Sequence, residues 1–340
     1  MISMNNLDLN VLKEMCMTPS PSNNEEQFAE YVMSFNFKNF TKYRAVDESV
    51  TFKSKTKKDK TILLDAHIDQ VHLRVVKVSV SGEVIVKSVG FDMDILLGNS
   101  VIHMKSGFKG VIGSFPPHLR LGIGPNDKRL GYCDMGMSYE ELIEIVEPGD
   151  VILFDLNFSV LGGDKVISSG LDNKVSGFNL YEIMKYFDKN MEQLKYNLII
   201  HFSSREEIGL GSFSTNLDKK IDYIIVLDSS PSSDQVGIPN KLIGDIDLGN
   251  GPVLTRNYED TYKFGLKIRE IGKKIGIFPQ IVFSSGYGAS NSKTYSKLFN
   301  SMVQYIGTPI RYIHSPFEMV DLNDVKLIKQ LIIEVLKTNM

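Results

Sequence analysis

The chain has 340 residues, 42% of them hydrophobic and 23% charged, with a formal net charge of −3 at pH 7, which is typical of a globular protein with one large domain or two. The small negative charge argues against nucleic acid or an anionic membrane as an obligatory partner, and every apolar run is far shorter than the roughly 20 residues of a membrane helix. The N-terminus lacks a basic stretch followed by an apolar core, and Cys16 and Cys133 have no metal-ligand spacing, so we expect a cytoplasmic protein with two buried, unpaired thiols.

The first predicted element is an amphipathic helix near the N-terminus. Ser22-Asn23-Asn24-Glu25 fits a capping box in which Glu25 reaches back to the cap. Apolar residues then follow at positions i, i+3, i+4 and i+7, the spacing of one helical face: Phe28, Tyr31, Val32 and Phe35. The pattern therefore predicts that a helix starts at this capping box.

A strand-like apolar run at residues 62–64 leads into two residues with metal-binding chemistry. His67 and Asp69 are two apart along the strand, so both side chains point to the same face. An imidazole that binds a metal usually donates its other N–H to a carboxylate, which fixes its tautomer. We therefore predict that His67 is a metal ligand and that Asp69 orients it.

Between residues 72 and 162 the pattern changes to that of a small all-β domain. Valines alternate with polar residues before and after a Ser81-Gly82 turn, which predicts a β-hairpin. Three more short strands are predicted at residues 101–104, 110–113 and 151–154, with a short acidic helix at 140–145. We expect residues 72–162 to be an insertion into an α/β domain formed by residues 1–71 and 163–340.

In the second half of the chain, helical patterns alternate with buried strands. Largely apolar runs at 198–202 and 224–227 indicate parallel strands covered on both faces, and the alternation predicts an α/β sandwich. Two helical faces accompany them: Leu180, Ile183, Met184 and Phe187, and Ile328, Leu331, Ile332 and Val335. Functional groups gather beyond the carboxyl ends of such strands, so we expect these residues to converge: His67, Asp69, Asp172, Glu206, Glu207, Asp228 and His314.

This convergence requires positive charge. The five acids would bring five formal negative charges into one cleft, where repulsion would force several of them to take up protons or move apart. Two divalent cations would supply four positive charges. Asp172, Glu207 and Asp228 as direct ligands, with one hydroxide, would balance them. Nitrogen and oxygen ligands without thiolate suit Zn, Co or Mn.

The adjacent pair Glu206-Glu207 divides into two tasks. Neighbouring residues that leave a strand end point in different directions, so Glu207 can bind a metal while Glu206 faces the attacking water. A free carboxylate in that position acts as general base, and then as general acid toward the leaving amine. The pattern therefore predicts a metal-dependent hydrolase.

Other candidate residues have simpler interpretations. We expect the remaining histidines to be hydrogen-bonded structural residues: His72, His103, His118 and His201. A serine hydrolase has little support, because Ser212 lacks the Gly-x-Ser-x-Gly elbow.

Over nearly its whole length, the chain resembles the M42 family of metallo-aminopeptidases. The motifs that carry the resemblance are, in chain order, TPSPSNNEEQF, AHID, GVIGSFPPHL, DMG, GLDNKVSG, REEIGLGS and IRYIHSPFEMVDLNDV. The 105 positions from His67 to Asp172 suit this family. In related carboxypeptidases and deacylases, the added domain comes later, ahead of the final histidine.

The resemblance implies a role for each site residue. Asp172 would bridge two metal ions, His67 and Asp228 would complete one metal site, and Glu207 and His314 would complete the other. Glu206 would be the base and Asp69 the residue that orients His67. The implied fold is an α/β/α phosphopeptidase-like catalytic domain interrupted by a β-barrel dimerisation domain. Members of this family commonly assemble as dimers into tetrahedral dodecamers.

The predicted function is a metal-dependent aminopeptidase that removes N-terminal residues from short peptides, with two Zn or Co ions, or Mn, in each chain. Three places depart from the family pattern: Gln70 stands where an acid is frequent, His72 where glycine is usual, and GYGASNS (286–292) where Gly-Thr-Asp is typical. The altered segment 286–292 leaves open a dinuclear deacylase or deblocking amidohydrolase. A non-catalytic metal-binding scaffold is a separate, less favoured alternative.

Overall fold

The computed structural model describes residues 7–113, 128–211, 217, 220–238, 244–283 and 290–340. In this part of the chain the strands are β1 (Phe40–Arg44), β2 (Val50–Ser54), β3 (Thr61–His67), β4 (His72–Val78), β5 (Val84–Val89), β6 (Ser100–His103), β7 (Lys109–Ile112), β8 (Leu130–Asp134), β9 (Val151–Phe154), β10 (Phe158–Leu161), β11 (Lys165–Ser168), β12 (Asn197–Ser203), β13 (Tyr223–Pro231), β14 (Val253–Thr255), β15 (Gln280–Val282), β16 (Met302–Ile310) and β17 (Glu318–Asp321). The helices are α1 (Leu9–Met17), α2 (Glu26–Met33), α3 (Tyr139–Leu142), α4 (Leu171–Lys189), α5 (Tyr262–Lys274), α6 (Asn291–Leu298) and α7 (Leu322–Lys337). Short 3-10 turns lie at Met93–Leu96, Met191–Gln193 and Glu206–Ile208.

A mixed eight-stranded sheet forms the centre of the larger unit. Its strand order is β1-β2-β12-β3-β13-β16-β14-β15. The four central strands β12, β3, β13 and β16 run parallel, so their carboxyl ends meet at one edge. The apolar runs at 62–64, 198–202 and 224–227 lie in β3, β12 and β13, which confirms the predicted parallel strands.

Helices cover both faces of this sheet. Ile62 and Leu64 of β3 belong to the large core that includes α4 and α7, whereas Leu63 packs in a second cluster with Tyr295 of α6. Alternate residues of one strand thus face opposite layers. Every residue of the two helical faces predicted in the second half of the chain is buried, in α4 and α7.

The smaller unit is a closed antiparallel barrel with the strand order β4-β5-β8-β7-β6-β9. The predicted hairpin is β4–β5, with a bulge between Val75 and Lys77 that leaves Val75 buried and Val76 41% exposed. The acidic helix α3 ends at Leu142, earlier than predicted, and Ser138 and Glu141 form a capping box at its start. A helix-covered mixed sheet with a separate β-barrel confirms the predicted fold class.

Strand β10 connects the region after the barrel to the rest of the chain. It pairs with β11, and β11 pairs with β17 close to the C-terminus. The barrel strands themselves lie between His72 and Phe154. The division of the chain at residues 72 and 162 stays a prediction.

The predicted capping box at residues 22–25 is wrong. Helix α2 begins at Glu26, and no side chain caps it. The Ser22 hydroxyl instead donates to Asp69 Oδ2 (2.7 Å), and a carboxylate oxygen of Glu25 accepts the N–H groups of Asn23 (2.9 Å) and Arg205 (3.1 Å). Both side chains are buried and form hydrogen bonds with residues far away in the sequence. They are therefore not available to cap the helix.

Both cysteines are free and buried, as predicted. Burial raises the pKa of Cys16 to about 11 and that of Cys133 to about 12, so neither thiol is ionised at neutral pH. Within the described ranges, helices of sufficient length and apolarity to cross a membrane are absent.

Candidate metal centre

All seven predicted site residues lie near the carboxyl ends of the four parallel central strands. His67 is the last residue of β3 and lies opposite Ser203, the last residue of β12, which leads into the 3-10 turn that carries Glu206 and Glu207. Asp228 lies within β13, which continues to Pro231. Asp172 is near the start of α4 in a non-helical backbone conformation, and His314 follows β16.

Asp172 lies between the two histidines. Its Oδ1 atom is 3.3 Å from His67 Nε2, and its Oδ2 atom is 3.3 Å from His314 Nε2. Asp228 Oδ1 lies 3.5 Å from His67 Nε2, and Glu207 Oε2 lies 3.4 Å from His314 Nε2. One carboxylate therefore joins two groups of ligand-type atoms, each with one histidine and one further acid.

The tautomer of each histidine follows from its other ring nitrogen. His67 Nδ1 faces the backbone oxygen of Asp69 (3.1 Å) and Asp69 Oδ1 (3.3 Å), and His314 Nδ1 faces the carbonyl oxygen of Gly90 (2.8 Å). These oxygens only accept hydrogen bonds, so both Nδ1 atoms carry a proton. Both Nε2 atoms are therefore available as ligands on the side that faces Asp172.

Asp69 connects His67 to the glutamate turn. Asp69 Oδ1 accepts the Glu206 N–H (2.9 Å), and Oδ2 accepts the Glu207 N–H (3.1 Å) as well as the Ser22 hydroxyl. Burial acts to raise the pKa of Asp69, but His67 and the hydrogen-bond donors outweigh burial and lower it. This carboxylate is therefore ionised and holds the imidazole and both glutamates in place.

Glu318 is a residue that the sequence pattern did not single out. It is buried, and its carboxylate accepts the backbone N–H groups of Asp172 (3.0 Å) and His314 (2.7 Å). His314 has a left-handed backbone (φ 62°), which costs a non-glycine residue about 1–2 kcal/mol. Glu318 stabilises this conformation. The signal in the sequence is an acid four residues after the final histidine.

A second left-handed residue lies beside the glutamates. Arg205 has φ 62° and directly precedes Glu206. Its N–H donates to the buried carboxylate of Glu25, which in turn is held by the Asn23 N–H. The N-terminal segment thus fixes the turn from which Glu206 and Glu207 project.

The buried carboxylates of this centre require positive charge. Burial raises the pKa of Glu206 well above its ordinary value, and it raises the pKa of Glu207 to about 8. Burial alone would lower the pKa of His314, but Glu207 and Asp172 raise it to about 10. Burial alone would also lower the pKa of His67. Asp172 and other nearby acids outweigh burial, so the pKa of His67 is raised well above its ordinary value.

The donor set fits divalent cations. One ligand atom each of His67, Asp172 and Glu207 lies within 4.8 Å of the others. Asp172 Oδ1 and Glu207 Oε1 are both buried and accept no hydrogen bond in the described part of the chain. A buried carboxylate oxygen without a donor is costly, and a cation at this position would satisfy it.

Glu206 lies at an open cleft of about 280 Å³. Its Oε2 atom is 3.9 Å from His67 Nε2, so the cleft leads to the ligand cluster. The other described residues that line the cleft are Gly209, Gly211, Ser290, Asn291, Lys293, Thr294, Lys297 and Leu298. Ser290 also donates its hydroxyl to Asp228 Oδ2 (3.0 Å), which connects this wall to the cluster.

The remaining positions singled out in the sequence differ in their placement. His72 faces the Gln70 carbonyl and Arg74, His103 lies between Ser106 and Asp150, and His201 contacts Thr51; all three histidines are buried, as expected of structural residues. Gln70 accepts a hydrogen bond from the buried Lys174. His118, Ser212 and residues 286–289 lie outside the described residues.

Comparisons with known proteins identify the family of this chain. The sequence pattern of the M42 glutamyl aminopeptidase family matches residues 49–331. A lysyl aminopeptidase of Pyrococcus furiosus is 25% identical over 298 residues, which cover 80% of this chain and 81% of that protein.

Two solved structures have the same fold. The TET aminopeptidase of Thaumarchaeota archaeon SCGC AB-539-E09 matches with a TM-score of 0.87 at 23% identity, covering 97% of this chain and 95% of that chain. The Pyrococcus horikoshii TET1 peptidase, which can assemble into a tetrahedron or a large octahedral shell, matches with a TM-score of 0.82 at 27% identity, covering 96% and 98%. These findings confirm the resemblance seen in the motifs. The chain therefore belongs to the M42 family of aminopeptidases.

Proposed function

We propose that this protein removes N-terminal residues from short peptides with the help of two divalent cations, Zn or Co, with Mn as a further candidate. The observation that carries the proposal is the position of Asp172, whose two oxygens each lie 3.3 Å from a different histidine Nε2. A carboxylate in this position is suited to bridge two ions.

The assignment of ligands follows from the distances around Asp172. His67 and Asp228 would complete one cation site, because Asp228 Oδ1 is 3.5 Å from His67 Nε2. Glu207 and His314 would complete the other, because Glu207 Oε2 is 3.4 Å from His314 Nε2. Each site would thus have one imidazole, one carboxylate of its own and a share of Asp172.

When bound, the two cations would polarise the scissile carbonyl and lower the pKa of the attacking water. Glu206 would take a proton from that water, because its carboxylate lies between the cleft and His67 without being a ligand in this assignment. It would then give the proton to the leaving amine. Asp69 contacts both the Glu206 backbone and the His67 ring, so it would fix the position of the base relative to the metal ligand.

The acidic cleft also supports the choice of a peptide's N-terminus. A free amine is positively charged near neutral pH, and Glu206, which lines the cleft and is not a cation ligand in this assignment, attracts it. An N-acylated peptide lacks this charge. The same site would therefore favour aminopeptidase activity over deacylation.

Glu206→Gln tests the proposal. We expect it to keep the fold and bind both cations while losing about 10²–10⁴-fold in kcat, because the amide cannot accept the proton. The substrates would be a library of free and N-acetylated short peptides, digested by the Zn- or Co-loaded protein and followed by mass spectrometry. Glu140→Gln, at an exposed position on α3, is the matched control.

The outcomes separate the alternatives. Stepwise loss of N-terminal residues from free peptides, absent in Glu206→Gln, supports the aminopeptidase. Preferential cleavage of N-acetylated peptides would favour a deacylase. Two bound cations without turnover of any peptide would favour a non-catalytic scaffold.

We also propose that the chain forms homo-oligomers, with the barrel as the dimerisation unit and dimers that assemble into a tetrahedral dodecamer. The support is the likeness to the Pyrococcus horikoshii TET1 peptidase, which can assemble into a tetrahedron. Analytical ultracentrifugation of the metal-loaded protein tests it. A mass of twelve chains is expected, and a monomer at micromolar concentration would contradict it.

A further inference from the structure

Helix α6 forms one wall of the cleft, and hydrogen bonds to the central sheet fix its orientation. The side chains of Asn291 and Tyr295, one turn apart on α6, both donate to the buried carboxylate of Asp65 in β3, at 3.0 Å and 3.1 Å. Asn291 Nδ2 also donates to Ser203 Oγ (2.8 Å). These contacts hold one side of α6 against the sheet, and the neighbouring side of the helix, which begins at Asn291 itself, lines the cleft.

The cleft side of α6 carries two cations. Lys293 and Lys297 are four residues apart, so they lie on the same helical face, and both line the cleft. Both are exposed, and within the described ranges neither ammonium group forms an ion pair with a carboxylate. Glu206 is the only acidic residue among the described residues that line the cleft. The cleft thus has an acidic inner end and a basic wall.

The spacing of this wall matches the length of a short peptide. Ser290, directly before α6, contacts Asp228, and a helix rises about 1.5 Å per residue. Lys293 and Lys297 therefore follow Ser290 by roughly 4.5 Å and 10.5 Å along the helix axis. An extended peptide spans about 3.3–3.6 Å per residue. A group one to three residues from the scissile bond would reach this wall.

We propose that Lys293 and Lys297 form an anion subsite that binds a carboxylate of the peptide substrate. This inference rests on the proposed aminopeptidase function and adds the substrate class. The carboxylate is either the C-terminus of a di- or tripeptide or an acidic side chain near the cleaved bond. A short peptide has a positive amine and a negative carboxylate, and the acidic and basic ends of the cleft would align it between them.

The subsite is tested by binding, independently of turnover. The protein is the Zn-loaded Glu206→Gln variant, and the ligands are tripeptides in matched pairs: free acid against C-terminal amide, and Glu against Gln at each position. By calorimetry we expect at least one carboxylate form to bind about tenfold more tightly than its neutral partner, as for a charged hydrogen bond. Adding Lys293→Gln and Lys297→Gln should reduce this ratio to about twofold or less.

A lysine elsewhere on the surface controls for long-range charge. Lys274 is exposed near the end of α5, and Lys274→Gln should keep the ratio. If the ratio appears only with the acid and amide pair, the C-terminal carboxylate is the ligand. If it appears only with a Glu and Gln pair, the ligand is that side chain. Equal binding in all pairs, or a ratio that survives the double lysine variant, overturns the subsite.

Turnover of the same peptides by the otherwise unaltered protein separates failure of the subsite from failure of the proposed function. Cleavage without any preference for a carboxylate leaves the aminopeptidase in place and removes the subsite. A lysine-dependent binding preference without cleavage supports the subsite and contradicts the aminopeptidase.

Discussion

Ser22 donates its hydroxyl to Asp69 Oδ2 over 2.7 Å, and both side chains are buried. Asp69 in turn accepts the N–H groups of Glu206 and Glu207 and faces His67. A serine 45 positions before His67 is therefore part of the support beneath the candidate metal centre. The N-terminal segment belongs to the site and not only to the helix that follows it.

Ser22→Ala should weaken this support without unfolding the protein. Asp69 would lose one of its hydrogen-bond donors, and losing such an outer contact typically costs 10–100-fold in metal affinity or activity. We expect a loss of about tenfold in zinc affinity, measured by competition with a chromogenic chelator, and a similar fall in kcat. Ser34→Ala is the control, because the Ser34 hydroxyl donates to the Tyr31 carbonyl at an exposed position away from the site. Equal affinity in Ser22→Ala and wild type would contradict the account.

Glu318→Gln should weaken the positioning of two proposed metal ligands, Asp172 and His314. The carboxylate accepts the N–H groups of Asp172 and His314, and an amide in its place can present only one acceptor oxygen. The left-handed conformation of His314 would then lose support. We expect zinc affinity to fall by about 10–100-fold. Glu334→Gln, on the α7 surface where Glu334 pairs with Lys337, should stay within twofold of wild type; a similar result for Glu318→Gln would refute the role.

The contact between Gln70 and Lys174 should contribute to the stability of the fold. The buried ammonium of Lys174 donates to Gln70 Oε1 and to the Thr18 carbonyl (2.7 Å). Gln70→Leu would remove one acceptor from a buried charge, at a cost of about 2–4 kcal/mol in the free energy of unfolding. Gln70→Glu keeps an acceptor and adds an opposite charge, so we expect a smaller change. Urea titration compares them, and a Leu variant as stable as wild type would show that Lys174 finds another partner.

His201 should make the fold sensitive to acid. Burial lowers its pKa to about 4, against about 6.5 in the unfolded chain. Between these values the unfolded state binds more protons, so stability is fully present above pH 6.5 and falls as the pH drops toward 4. Protonation of His201 would lower the free energy of unfolding by about 3 kcal/mol over this pH range.

His201→Asn removes this titration while its amide can still face Thr51. Urea titrations from pH 4 to 7 should show a shallower loss of stability than in wild type, and the difference between the two proteins cancels the effect of their shared metal centre. Parallel curves would mean that His201 does not account for the acid sensitivity.

The sequence allowed much of this site to be predicted because its ligands follow apolar runs that mark buried strands. His67 and the Glu206-Glu207 pair each come after such a run, and parallel pairing brings their ends to one edge. Asp228 shows where the pattern stops being sufficient. Its strand continues through buried Ser229 and Ser230, so the end of the apolar run is not the end of the strand.

The supporting residues could not be predicted from local patterns. Ser22 and Glu25 have the spacing of a helix cap, but their partners lie 47 and 180 positions away, at Asp69 and Arg205. Glu318 contacts Asp172 across 146 positions. A short-range pattern describes the hydrogen bonds a polar side chain can make with its neighbours, whereas burial in the folded site selects distant partners with stronger interactions.

The most direct test of the account is the metal content of the zinc-saturated protein after extensive dialysis, measured by mass spectrometry together with protein concentration. Wild type should hold about two zinc ions per chain. Asp172→Asn, which weakens the carboxylate that faces both histidines, should hold fewer than one, while Glu140→Gln should match wild type. One ion per chain in wild type, or two retained in Asp172→Asn, would contradict the dinuclear centre.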